Sequence, residues 1–207
     1  MKNFFAPLFI IAIIVSCSNT TPKQTMKNTN SEDLKTAYFA SGCFWCSELV
    51  FENLNGVTNV VSGYAGGHTK NPTYQSSNTG TTGHAEAIKV TYNPKKITFT
   101  DLIDVYFASQ DATQVNGQGN DIGAQYRSII FYQNETEKEM ILTKKSALAK
   151  KLNTPIAAEI QEFKQFWIAE DYHQDYAKLH PNHGYVKGVS VPRLQAAQRA
   201  CPLLYKK

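Results

Sequence analysis

Gly42-Cys43-Phe44-Trp45-Cys46 sets two thiols three residues apart with two large aromatic side chains between them. Cys43 follows a glycine at a strand-to-helix turn, where the free N–H groups and dipole of a helix start favour a thiolate over a thiol. A thiolate is a nucleophile, so the string points to sulfur chemistry. Phe44 and Trp45 cannot both face the core from one first turn. At least one therefore lines the site, and an aromatic wall beside a sulfur nucleophile suits a soft, methyl-bearing substrate. Glu86, in Gly83-His84-Ala85-Glu86, opens a strand-like stretch. In an apolar pocket its carboxyl has a raised pKa and can act as a general acid near neutrality. Tyr74, in Asn71-Pro72-Thr73-Tyr74, and Tyr126, in Gln125-Tyr126-Arg127, offer phenol hydroxyls, neutral donors suited to a polar oxygen.

Each of these residues also has a plainer reading. Cys43 could be a buried structural thiol, Phe44 and Trp45 ordinary packing, and Glu86 a solvated strand edge. Cys43, Cys46, His84 and Cys201 could bind zinc, but the first pair has no second pair at matching short spacing. No cofactor or metal motif is visible.

Elements must bring these residues together. Thr36 to Ala40 reads as a strand, Cys43 to Asn53 as a helix and Val57 to Ser62 as a second strand. Gly63 to Gly83 reads as a long loop, and Ala85 to Tyr92 alternates as a third strand. Thr98 and Asp101 have capping-box spacing for a helix whose face is Leu102, Ile103, Tyr106 and Phe107. Asp111 to Gln125 is a second long loop, Tyr126 to Tyr132 a fourth strand, and Glu135 to Lys151 an amphipathic helix. Ala158 to Phe163 can form a further strand, with Glu170 to Leu179 and Pro192 to Ala200 as short helices. The order strand, helix, strand, strand, helix, strand is that of a ferredoxin-like split βαβ unit. It predicts an α+β fold with a mixed, largely antiparallel sheet and packed helices.

With 207 residues, 42% hydrophobic and 18% charged, the chain suits one domain plus an appendage and excludes a disordered or collagen-like class. Its net charge of +4 is not gathered into a basic stripe, so nucleic acid is not an expected partner. The appendage is N-terminal. Phe4 to Val15 is an uncharged, mostly aliphatic run of 12 residues, short of the roughly 20 that span a bilayer, and it reads as a signal-peptide core. Ile14-Val15-Ser16-Cys17 resembles a bacterial lipobox, whose cysteine is acylated. Ser18 to Asp33 is rich in Ser, Thr, Asn and Lys and reads as a tether. The expected division is 1–16 lipoprotein signal peptide, 17–36 tether and 37–207 catalytic domain. The mature chain would then be anchored by a lipid on Cys17 in the cell envelope, outside the cytoplasm.

Seven strings in order carry a closer likeness. Gly42-Cys43-Phe44-Trp45-Cys46, Gly63-Tyr64-Ala65-Gly66-Gly67, Asn71-Pro72-Thr73-Tyr74, Thr82-Gly83-His84-Ala85-Glu86, Gly119-Asn120-Asp121, Gln125-Tyr126-Arg127 and Glu170-Asp171-Tyr172-His173-Gln174 make this chain closely resemble the A-type peptide methionine sulfoxide reductases, over about Ala37 to Pro192. The resemblance implies that Cys43 attacks the sulfoxide sulfur, Glu86 protonates its oxygen, Tyr74 and Tyr126 hydrogen-bond that oxygen, and Phe44 and Trp45 cage the methyl group. It implies that Asp121 organises the polar side and that His84 is structural. The product would be methionine from the S epimer, free or in proteins, with a Cys43 sulfenic acid that condenses with a second thiol. Cys46 can close that disulfide directly. Cys201 would have to fold back over the site. A thioredoxin-like donor would reduce the disulfide, with the chain acting as a monomer. A general thiol-disulfide oxidoreductase using Cys43 and Cys46, or a non-catalytic module binding zinc or oxidised methionine, would leave Tyr74, Glu86 and Tyr126 without a task.

Overall fold

The computed structural model describes Met1 and residues 34–206. Contacts divide the chain into Met1–Asn30 and Ser31–Lys207, and every element named below belongs to the second unit. The signal peptide read over residues 1–16, with Cys17 and most of the tether, lies outside the described residues.

In chain order the elements are β1 (Lys35–Ala40), α1 (Phe44–Glu52), β2 (Val57–Ala65), α2 (Tyr74–Asn78), β3 (Ala85–Tyr92), α3 (Phe99–Ala108), β4 (Gly117–Gln118), β5 (Asp121–Ile122), β6 (Ile129–Tyr132), α4 (Glu135–Leu152), β7 (Glu159–Glu162), β8 (Phe166–Ile168), α5 (Tyr176–Leu179) and α6 (Val191–Ala200). Six strands form one sheet in the order β7-β6-β1-β3-β2-β8, and β4 pairs with β5 as a separate hairpin. All pairings in the large sheet are antiparallel except β6 with β7. The fold is mixed α+β. β1 starts at Lys35, inside the stretch read from sequence as the end of the tether.

Apolar residues explain where the helices sit. Phe39 on β1 stacks on Phe51 of α1 at 5.1 Å between ring centroids and packs against Tyr106 of α3 at 5.5 Å. All three rings are buried. Burying side chains of this size favours docking by about 1.5–3 kcal/mol each, so this aromatic cluster fixes both helices on one face of the sheet. Tyr106 also donates its hydroxyl to the Ala40 carbonyl at 3.0 Å, which locks α3 to the end of β1 just before Cys43. Thr98 and Asp101 close the expected capping box at the start of α3.

Several local readings change, and the two stretches read as long loops also hold α2 and the β4–β5 hairpin. β2 continues through Gly63, Tyr64 and Ala65, although its glycine looks like loop sequence. A Cβ at Gly63 would lie 2.2 Å from the Trp167 carbonyl oxygen, so the neighbouring strand β8 leaves no room for a side chain there. Tyr126 stands in a 3-10 turn, Ala124–Tyr126, and not on a strand, because Gly123 at φ 147 turns the chain and β6 starts only at Ile129. Glu170 to Leu179 is not one helix. A 3-10 turn, Asp171–His173, and α5 are separated by Asp175 in the left-handed region at φ 52. Among the described residues, no helix is long and apolar enough to cross a membrane.

Candidate active site

The site begins with a backbone turn. Gly42 has φ +69, and a Cβ there would lie 2.5 Å from Gln118 Cβ, so the turn between β1 and α1 requires glycine. Its N–H donates to the Tyr126 carbonyl at 3.2 Å. Cys43 then caps α1, its carbonyl accepting from the N–H groups of Cys46 and Ser47. One of the remaining helix-start donors, the Phe44 N–H, points at the Glu86 carboxyl at 3.0 Å. Glu86 lies on β3 opposite Tyr64 of β2 and is buried, not a solvated edge. Burial pushes its carboxyl up to about 8; the Phe44 N–H opposes the rise, and the charges of Asp121 and Cys46 add to it. At neutral pH Glu86 carries a proton.

The two thiols divide their proton against expectation. Burial pushes the Cys43 thiol well above its ordinary value, and its hydrogen bond to Cys46 and the Glu86 charge act the same way. The helix start does not by itself make Cys43 a thiolate, because desolvation outweighs it. Cys46 goes down to about 6, chiefly through the hydrogen bond from Cys43, with further help from the charge of Arg193 and from Ser190 and Tyr185. Burial thus favours the neutral thiol at Cys43, while the Cys43 hydrogen bond and the Arg193 charge favour negative charge at Cys46.

Cys46 is wholly buried, with Sγ 3.1 Å from Ser190 Oγ and 3.7 Å from Tyr185 Oη. Both partners bracket a turn of π-helix, Val186–Ser190, that runs into α6. Tyr185 donates its hydroxyl to Asp121 in a short hydrogen bond. Arg193 is tethered by donation to the Ser109 carbonyl at 2.8 Å and to the Ser41 carbonyl at 2.9 Å. Its guanidinium is therefore fixed where it favours a charged Cys46.

The aromatic wall has two layers. Trp45 is partly buried, stacks on Tyr176 at 3.6 Å and 8° between planes, and donates its indole N–H to His173 Nδ1 at 3.1 Å. Phe44 is buried in the core between Tyr64 and His173, with centroids at 6.0 and 4.7 Å. Tyr74 packs on the same His173 ring at 4.6 Å. Its position is set by Glu170, whose carboxylate accepts from the Tyr74 N–H at 2.9 Å and from the Tyr64 hydroxyl at 2.8 Å. Burial pushes the Tyr126 phenol up, and Glu86, Tyr74, Cys43 and Asp121 all act on it, which places it among them. Tyr126 stays a neutral donor.

Cys43, Cys46, Phe44, Trp45, Tyr74, Glu86, Asp121 and Tyr126 are thus brought into one region. His84 is engaged elsewhere: it accepts from the Gly67 N–H at 3.1 Å and meets the Thr69 carbonyl at 2.8 Å, bracing the loop after β2. Cys201 follows the far end of α6, a ten-residue helix about 15 Å long whose start lies beside Cys46. Among the described residues no cluster of three His, Cys, Asp or Glu could hold a metal ion. Tyr185, Ser190, Arg193 and Tyr176 escaped the sequence reading. His173 and Glu170 stood in a motif that marked their place but gave them no task.

A dithiol that shares one proton, beside a carboxylic acid that keeps another at neutral pH, makes this α+β protein a thiol-dependent oxidoreductase. Residues 35–201 match the peptide methionine sulfoxide reductase family, and the chain belongs to it. It is 47% identical over 160 residues to peptide methionine sulfoxide reductase MsrA from Erwinia tasmaniensis, covering 77% of this chain and 90% of that one. Its structure is similar to Mxr1 from Saccharomyces cerevisiae in reduced form, with TM-score 0.70 and 33% identity over 74% of this chain and 90% of the other. It is also similar to Mxr1 in complex with Trx2, with TM-score 0.51 and 26% identity over 74% and 91% of the two chains.

Proposed function

We propose that the chain reduces the S epimer of methionine sulfoxide, free or in proteins, to methionine. The observation that carries this reading is the buried, protonated Glu86 held against the start of the helix that bears Cys43. A sulfoxide oxygen is a poor leaving group until protonated, so nucleophile and acid must work side by side. Cys43 passes its proton to Cys46 and attacks the sulfoxide sulfur. Glu86 protonates the oxygen while Tyr74 and Tyr126 donate to it, and Phe44 and Trp45 enclose the methyl group. Asp121 orders the polar side. Methionine leaves, and Cys43 carries the oxygen as a sulfenic acid.

Cys46 then closes a disulfide with Cys43, supported by their contact and by the length of α6 that separates Cys201 from both. A thioredoxin-like dithiol reduces it, a reading supported by the likeness to Mxr1 in complex with Trx2. General thiol-disulfide exchange is not favoured, because it gives Glu86 and the two tyrosines nothing to do. The order β6-β1-β3-β2, with α1 and α3 as the crossovers, supports a ferredoxin-like split βαβ core. Export and lipid attachment at Cys17, with residues 17–36 as tether and the catalytic domain beyond, rest on the N-terminal sequence alone. They place the protein in the cell envelope.

Mixing the purified protein with a peptide carrying both sulfoxide epimers and dithiothreitol tests the reading. Consumption should stop at half and be abolished by Cys43→Ser; no consumption by folded protein would refute it.

A further inference from the structure

When Cys43 has become a sulfenic acid, Cys46 has to lose a proton inside the protein. While Cys43 is a thiol it donates to Cys46, and this is the largest influence keeping Cys46 charged. After the attack that donor has gone, and Cys46 holds the proton it received. Its sulfur is wholly buried, so water does not reach it. A thiol is a far weaker nucleophile than a thiolate.

The groups facing Cys46 are Cys43 at the start of α1, Tyr185 and Ser190 of the π-helical turn and Arg193 of α6. Glu86 on β3, ionised after protonating the oxide, also senses the Cys46 charge and hydrogen-bonds Cys43; of the hydrogen-bond partners of Cys46 itself, Tyr185 leads onward to a carboxylate. Its oxygen is placed as an acceptor 3.7 Å from Cys46 Sγ, while its own hydroxyl proton is directed to Asp121 Oδ2. A phenol has one proton to give, so with that proton on the Asp121 side a lone pair is turned to the thiol. Cys46, Tyr185 and Asp121 thus form a chain of donors running one way, ending on a carboxylate that is only partly buried. Burial holds the Tyr185 phenol far from ionising, so it passes one proton on as it receives another.

We propose that Asp121, acting through Tyr185, is the base that takes the Cys46 proton as Cys46 attacks the sulfenic sulfur of Cys43. This rests on the reading of Cys46 as the resolving thiol. The Cys46 sulfur pair forms the S–S bond and the Cys43 S–O bond breaks. The hydroxide leaves as water with one proton from the medium, while the Cys46 proton moves to Tyr185, the Tyr185 proton to Asp121, and Asp121 releases it. Cys46 is oxidised and the sulfenic sulfur reduced, with no outside oxidant. Arg193 and Ser190 stabilise the charge that builds on sulfur. Tyr185 and Asp121 are relay groups for this step; Asp121 also orders the polar side during the attack of Cys43, so Tyr185→Phe is the variant that isolates the relay.

Tyr185→Phe keeps the ring and removes the relay. In a single turnover without reductant, the variant should still release one equivalent of methionine but close its disulfide about 10²-fold more slowly than the wild type, the usual scale of general-base assistance. A sulfenic acid trapped by dimedone should accumulate, and closure should speed up with rising pH in the variant much more steeply than in the wild type. Asp121→Asn should slow closure in the same way. Closure by Tyr185→Phe at the wild-type rate and with the wild-type pH profile would overturn the relay. A Cys43–Cys201 link in the wild type would instead overturn the assignment of Cys46, and the relay with it.

Discussion

The Phe44 backbone N–H donates to the Glu86 carboxyl at 3.0 Å, tying the acid to the residue next to the nucleophile. Strand β3 and helix α1 therefore cannot drift apart without breaking a buried hydrogen bond. The same N–H opposes the effect of burial, which leaves Glu86 at about 8. The acid is neutral at pH 7 and loses its proton only in mildly alkaline solution.

Glu86→Gln should retain an oxygen for the Phe44 N–H but lose the proton. Single-turnover methionine release near neutrality should fall by roughly 10²–10⁴-fold, the usual worth of a positioned acid. In the wild type the rate should decline as pH rises through about 8, because the ionised form cannot protonate the oxide. The variant should lack that decline and recover partly in acid, where solvent supplies the proton. An identical rate in both proteins at every pH would remove Glu86 from the mechanism.

After one turnover without reductant, mass mapping should find the Cys43–Cys46 disulfide. Cys46 Sγ lies beside Cys43, whereas Cys201 caps the opposite end of α6 and packs against the core. Cys46→Ser should stop disulfide formation and also slow the first methionine release, because the group that takes the Cys43 proton is gone. A rapid Cys43–Cys201 link would show that α6 unwinds or moves, and would reverse the assignment.

The sequence made some parts plain and concealed others for physical reasons. The capping box of α3 and the alternation of β3 are local patterns, so Thr98, Asp101 and Glu86 could be placed from neighbours in the chain. The grouping of Cys43, Glu86, Tyr74, Tyr126 and Asp121 was legible through their strings. Tyr185, Ser190 and Arg193 were not, because nothing local marks them; they matter only through contact with Cys46 from 139 or more residues away along the chain. The low proton affinity of Cys46 was hidden for the same reason, and burial reversed the expected order of the two thiols. Gly63 looked like loop sequence because its reason, the Trp167 carbonyl, sits on another strand.

Gly42→Ala should destabilise the protein by about 1–3 kcal/mol, the cost of a non-glycine residue held in a strained backbone region. The backbone stands at φ +69, and the new methyl would meet Gln118 Cβ at 2.5 Å. Because the turn sets the helix start, activity at saturating substrate should fall as well as the urea midpoint. A variant with wild-type midpoint and activity would show that this turn does not need glycine.

Glu48 offers a test of burial without catalysis. It sits on α1, buried, with Oε2 lacking a hydrogen-bond partner among the described residues. Burial pushes its carboxyl from 4.5 up to about 7, against the hydrogen bond from the Asp175 backbone. Between those two pH values the unfolded chain has released a proton that the folded chain retains. Stability from this group is therefore fully present below about pH 4.5 and is lost as pH rises through about 7. Glu48→Gln cannot titrate, so its stability relative to the wild type should improve across this window, by about 3 kcal/mol in total at the usual 1.36 kcal/mol per pKa unit. Urea unfolding of both proteins at pH 5 and pH 8 measures the change directly, since contributions from all other groups cancel in the difference. A difference between variant and wild type that stays constant with pH would mean that Glu48 ionises in the folded protein as readily as in water.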